Sequence, residues 1–159
     1  MRIVLVRHGK AESHAADDAS RALTEKGLAQ AQATGEWLRD ALGDLGGARL
    51  LASPYRRAQE TAAPLAALLG LEVQTVAGIT PDADPRKALP AIEAAGQGAP
   101  LLLVVSHMPL VAALAGWLQE GGLNTGRAFD LAEARVLAAD FLAPGLAREI
   151  AAFIPHLKH

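Results

Sequence analysis

The residues best suited to chemistry in this chain stand in three short groups. Arg7-His8-Gly9 follows the apolar run Met1–Val6, Arg56-Arg57 follows Ser53-Pro54, and Ser106-His107 closes the apolar run Leu101–Val105. An arginine offers a planar fork of donors, and a histidine a nucleophilic nitrogen near neutral pH. Together they suit a doubly charged anion. Taken singly each group says little. A lone Arg at a strand end is ordinarily a solvated surface group, and a lone His a hydrogen-bonded structural one. Their weight depends on whether the fold brings them to one place.

The elements that must do so are legible. Met1–Val6 is β-branched, apolar and too short for a helix, so it reads as a strand. Lys10–Ala22 is polar and reads as a loop. Thr24 then makes a helix N-cap, Glu25 sits in the first turn, and Leu23 with Leu28 forms a hydrophobic staple. Leu28, Ala31, Gly35, Leu38 and Leu42 recur at helical spacing, and Gly46-Gly47 ends the segment. Arg49–Ala52 is a second strand. Ser53-Pro54 reads as an N-cap with proline at the first helical position, Ala58, Ala62, Leu65 and Leu69 as the inner face, and Gly70 as the stop.

Glu72–Ala77 is a third strand, Thr80–Pro85 a turn-rich loop and Arg86–Ala95 a helix. Leu101–Val105 is a continuous apolar run of the kind buried on both faces of a parallel sheet. Pro109 starts a helix reaching Gln119. Strands near Arg135–Phe141 and Ala147–Ile154, separated by Pro144-Gly145, form a hairpin. Alternating strands and helices predict an α/β fold: a three-layer sandwich with a largely parallel central sheet, helices on both faces and an antiparallel edge. Residues 1–159 read as one domain.

In a parallel sheet the C-terminal strand ends share an edge, so the three polar groups converge there. Two of them abut helix N-termini, whose free N–H groups favour anions. The result is a cationic pocket inside a chain of net charge −2. A phosphate dianion is its natural guest.

Bulk properties narrow the class. The 159 residues are 51% hydrophobic and 20% charged, as in ordinary globular proteins. There is no cysteine, which excludes disulfides, thiolate metal sites and a cysteine nucleophile. The slight negative charge gives no reason to expect nucleic acid or an anionic membrane as partner. No signal peptide is read, and no apolar run approaches the ~20 residues that span a bilayer. The chain is expected to be cytoplasmic.

In order along the chain, these groups resemble the motifs of the histidine phosphatase superfamily, the phosphoglycerate-mutase-like phosphatases. Arg7-His8-Gly9 matches its first motif. Leu23, Thr24 and Gly27 match a Leu-Thr-x-x-Gly helix opening, Ser53-Pro54-Tyr55-Arg56-Arg57-Ala58 a Ser-Pro-x-x-Arg-Ala motif, and Ser106-His107 the second histidine. Arg21-Ala22-Leu23-Thr24, Ile79-Thr80-Pro81 and Ser106–Val111 are similar to the small SixA-type phosphohistidine phosphatases within that family.

The resemblance implies that His8 is the nucleophile, transiently phosphorylated and then freed by water. It implies that Arg7, Arg57 and His107 bind the phosphoryl oxygens, with no cofactor and no metal. Arg57 is selected over Arg56 by motif spacing. Arg21 is placed at the pocket rim, with a surface salt bridge as the competing reading. Ser53 and Ser106 read as caps, Asp17-Asp18 as loop solvation, and His14, His156 and His159 carry no assignment.

The general acid is open among Asp82, Asp84, Glu12 and none. An imidazole leaving group can be protonated on its own far nitrogen, whereas an alkyl phosphate cannot leave so easily. This favours a phosphohistidine substrate. About 45 residues separate Thr61 from Ser106 and must supply a strand and a helix, leaving no room for a capping insertion. The pocket is therefore expected to be shallow and open to a side chain on another protein. The expected function is dephosphorylation of phosphohistidine on a signalling or phosphotransfer protein. The alternatives are a small-molecule phosphomonoesterase or phosphoanhydride hydrolase on the same site, and a non-catalytic phosphate-binding module.

Overall fold

A computed structural model describes residues 1–156. The apolar runs form β1 (Arg2–Arg7), β2 (Arg49–Ala52), β3 (Val73–Thr75) and β4 (Leu101–Ser106), followed by β5 (Ala134–Ala138) and β6 (Arg148–Phe153). Between them lie α1 (Glu25–Leu42), α2 (Arg56–Leu69), α3 (Pro85–Gly96) and α4 (Leu110–Glu120). His159 lies outside the described residues.

The strands make one sheet in the order β3-β2-β4-β1-β5-β6. β1, β4, β2 and β3 run parallel. β5 is antiparallel to β1, and β6 to β5, which gives the antiparallel edge and hairpin expected from the sequence. β4 is central and every one of its residues is buried. Alternate side chains divide the core into two layers. Ile3, Leu5, Leu102 and Val104 meet α3 and α4 on one face, whereas Val4, Val6, Leu101, Leu103 and Val105 meet α1 and α2 on the other. Fixing both faces of β1 and β4 in this way also fixes where their polar ends emerge.

Register does the rest. Arg7 pairs with Ser106, and Ala52 with Val105, so the three strand ends finish level. The backbone continues the pattern past the strands: the His8 N–H donates to the Ser106 carbonyl at 3.0 Å and the Ser53 N–H to that of Val105 at 3.0 Å.

Several expectations need correction. Leu28 is 52% exposed and drops out of the expected inner face of α1, whose other members Ala31, Gly35, Leu38 and Leu42 are buried and are joined there by Gly27 and Thr34. In the first turn of the helix it is Gly27 that packs directly on the chain leaving β1. A Cβ on Gly27 would stand 2.1 Å from the Lys10 carbonyl oxygen, and one on Gly9 would stand 2.5 Å from that of Gly27. The two motif glycines are thus one close backbone contact. Ser53 does not cap α2, which starts at Arg56 after Tyr55 with no side-chain cap bond. Ser106 is not a cap either: it ends β4, and its hydroxyl donates to the Ile79 carbonyl at 2.7 Å. β3 covers three residues rather than six, because as an edge strand it pairs only with short β2.

Candidate active site

At the C-terminal edge of the parallel strands lies a cavity of about 310 Å³, lined by Arg7, His8, Lys10, Arg21, Arg57 and His107 together with Ala11, Met108 and Leu131. The structure thus brings together every residue that the sequence placed at a phosphate site. His8, Arg57 and His107 are all buried, at 8%, 3% and 1% exposure. The two imidazole rings stand 5.2 Å apart, centroid to centroid.

His8 is held by its own backbone. Its Nδ1 lies 2.7 Å from the Gly9 carbonyl oxygen, which can only accept, so Nδ1 carries the proton and Nε2 is left with its lone pair. Burial lowers its pKa to about 4. The Gly9 bond opposes that shift, and the guanidiniums of Arg57, Arg7 and Arg21 add to it. His107 is lowered to about 3, first by burial and then by charge on His8 and Arg57. Both rings are therefore neutral near pH 7. The site combines an unprotonated imidazole with a fixed ring orientation, which is what nucleophilic attack by histidine requires.

Each arginine is aimed by an acceptor behind it. Arg7 Nη1 donates to the Phe129 carbonyl at 2.8 Å. Arg57 donates through Nη1 to the Asp18 carbonyl at 2.7 Å and through Nη2 to the Asp18 carboxylate at 3.1 Å. The other carboxylate oxygen of Asp18 accepts from Arg21 Nε at 2.9 Å. Asp18 is therefore not loop solvation: it ties two site cations together, and Asp17 caps the 3₁₀ turn Asp18–Ser20 that presents it. Arg21 does both things proposed for it, lining the cavity and forming a salt bridge. Arg56 points outward and pairs with Glu60.

The motifs also brace one another. The Gly9 N–H donates to Thr61 Oγ1 at 3.1 Å, and that hydroxyl donates to the Arg57 carbonyl at 2.7 Å. Among the described residues, three buried side-chain nitrogens have no hydrogen-bond partner: Arg7 Nε, Arg57 Nε and His107 Nδ1. All three belong to residues lining the cavity that His8 faces. Buried donors are ordinarily satisfied, so three orphans around one cavity define a place built to receive an acceptor-rich anion.

The candidate acids lie elsewhere. Asp82 accepts from Thr80 Oγ1 at 3.0 Å, and Asp84 caps α3 and pairs with Arg86 at 3.1 Å, which holds its carboxyl below the usual range. Glu12 is exposed. None of the three lines the cavity. Asp18 touches the site cations, but hydrogen bonds from Arg21 and Arg57 hold it below the usual carboxylate range, so it carries no proton to give near neutrality. His14 and His156 are exposed and away from the cavity.

One contributor escaped the sequence reading. The segment 127–133 carries the carbonyl that aims Arg7, and a buried pair pins it. Arg135 bonds the Glu133 carboxylate and the carbonyls of Arg127 and Ala128, and its guanidinium stacks 3.8 Å from the Phe129 ring centroid. Glu133 in turn accepts from the Asp130 N–H at 2.8 Å. Two buried opposite charges two residues apart beside an apolar strand were the available signal.

Fold and site together define a phosphatase family, and the chain belongs to it. The sequence model of the histidine phosphatase superfamily (branch 1) matches residues 3–80. A phosphohistidine phosphatase SixA homolog of Haemophilus influenzae is 38% identical over 119 residues, covering 70% of this chain and 73% of that protein. Phosphohistidine phosphatase SixA of Escherichia coli is 31% identical over 124 residues, covering 76% of each. A solved structure of the protein histidine phosphatase SixA complexed with tungstate superposes with a TM-score of 0.84 at 27% identity, covering 97% of both chains.

Proposed function

We propose that this chain is a phosphohistidine phosphatase in which His8 is the nucleophile and the substrate is phosphohistidine carried on another protein. The observation that carries the reading is the set of three unpartnered buried nitrogens around a neutral, oriented His8. Phosphoryl transfer asks for positioning and for positive charge spread over three equatorial oxygens; Arg7, Arg57 and Arg21 offer that charge, and the neutral His107 ring offers a hydrogen-bonding nitrogen. The names borne by the two relatives support the same substrate class.

In the first step His8 Nε2 attacks phosphorus, a new P–N bond forms, and the bond to the substrate imidazole breaks. That imidazole leaves as a neutral ring once its far nitrogen carries a proton. In the second step water attacks the phosphorus on His8 and releases inorganic phosphate. The cations lining the cavity supply the positive charge that a metal supplies in other phosphatases, and we read the reaction as metal-independent. The location of Asp82, Asp84 and Glu12 outside the cavity favours a leaving group that needs no enzymic acid.

The segment between α2 and β4 is spent on β3, α3 and their turns, which supports a single uncapped domain open to a protein surface. Among the described residues no helix is long and apolar enough to cross a membrane, in keeping with action in the cytoplasm on a signalling or phosphotransfer protein. Side-by-side turnover of a phosphohistidine protein and a panel of phosphate esters, in EDTA with His8→Ala as blank, tests the reading. Preference for phosphohistidine with undiminished rate in EDTA is expected. Faster ester turnover, or loss of activity in EDTA, would contradict it.

A further inference from the structure

Ser53 and His107 meet at the bottom of the site, fully buried. Ser53 Oγ lies 2.7 Å from His107 Nε2, and the same oxygen accepts the Tyr55 N–H at 3.3 Å. The opposite ring nitrogen, His107 Nδ1, is buried and unpartnered, and the ring lines the cavity. This ring also packs against the Tyr55 ring, with centroids 5.1 Å apart and planes at 68°.

These contacts leave one consistent placement of hydrogens. With one lone pair of Ser53 Oγ taken by the Tyr55 N–H, the hydroxyl proton needs an acceptor, and His107 Nε2 is the one within reach. A hydroxyl that donates to Nε2 requires that nitrogen to be bare. The ring hydrogen must then sit on Nδ1. The other tautomer would leave the buried hydroxyl proton without an acceptor and put a bare lone pair on Nδ1, in a ring that lines a cavity suited to an anion.

We propose that Ser53 is a positioning residue that locks His107 as its Nδ1–H tautomer, making the second histidine a neutral hydrogen-bond donor to the phosphoryl group. The donor role rests on the phosphoryl reading given above; the tautomer does not. The Ser53 hydroxyl is thus taken up by the Tyr55 N–H and His107 rather than by the free N–H groups of the first turn of α2.

The test is ¹⁵N NMR of the whole protein with labelled histidine at neutral pH, His107→Asn identifying the His107 signals. A pyrrole-type signal at Nδ1 and a pyridine-type signal at Nε2 are expected, and saturating inorganic phosphate should shift the Nδ1 signal. Ser53→Ala should mix the two tautomers and lower kcat about tenfold. In the His107→Asn background Ser53→Ala should cost nothing further, because the serine acts through the imidazole. A pyridine-type Nδ1 in the unaltered protein overturns the assignment without recourse to any variant, as do additive losses in the double variant. The expected tautomer with an Nδ1 signal indifferent to phosphate overturns the phosphoryl reading instead.

Discussion

β1 carries an arginine at each end, and each lies at a cavity. Arg2, at its start, shares a cavity of about 660 Å³ with Asp44, Asp140 and Arg148. Arg7, at its end, shares one of about 310 Å³ whose lining holds Lys10, Arg21 and Arg57 and no acid. The larger cavity balances its charges, and Arg2 Nη1 rests on the Leu42 carbonyl at 3.0 Å. The smaller concentrates one sign of charge and leaves three buried nitrogens unmatched. Size does not mark the site. Unmet donors beside an oriented nucleophile do, and they occur at the edge where parallel strands end.

The contrast predicts unequal sensitivity at the two ends. Arg57→Ala and Arg7→Ala should each lower kcat by roughly 10²–10³, the scale for losing one donor to developing charge. Arg2→Ala should leave steady-state turnover within about twofold. Comparable losses at Arg2 and Arg7 would erase the distinction.

Acid should weaken the site end through its histidines. In the unfolded chain His8 binds a proton near pH 6.5, but in the fold only near 4, so between those values the unfolded state holds more protons. The stability linked to a neutral His8 is complete above pH 6.5 and declines as pH falls toward 4, a loss of roughly 3 kcal/mol from this residue. His107 acts in the same direction. Urea unfolding across this interval should show that slope, and His8→Gln should flatten it. Identical slopes for both proteins would refute the burial argument.

Asp18 offers a finer test. Asp18→Asn keeps the backbone carbonyl that holds Arg57 Nη1 but removes the charge shared with Arg21. KM should rise about tenfold and kcat should change less, as expected when a positioning contact for bound phosphate is loosened. An unchanged KM would return Asp18 to the status of a surface residue.

These residues also show what a sequence can and cannot disclose. Arg7, His8, Arg57 and His107 were readable because each follows or closes an apolar run, and parallel strands bring such ends together. The Thr24 cap was readable because it is local, and its side chain does accept the Gly27 N–H. Asp18 was missed because its partners are three and 39 residues away and the loop between offers no periodicity. Leu28 was misplaced because the first turn of α1 meets the chain leaving β1 through Gly27, a tertiary contact that helical spacing does not disclose, while Ala31, Gly35, Leu38 and Leu42 are buried as that spacing predicts. Ser53 was misread for a related reason: Ser-Pro satisfies the local rule for a cap, but a histidine 54 positions away claims the hydroxyl.

The reading stands or falls on covalent chemistry at His8. Rapid quenching of the protein during turnover of a ³²P-phosphohistidine protein, followed by peptide mapping in alkali, reports on it directly. Acid-labile label on the peptide containing His8, lost in His8→Ala and retained in Arg2→Ala, is the expected result. Turnover at full rate with no label on His8 would contradict it.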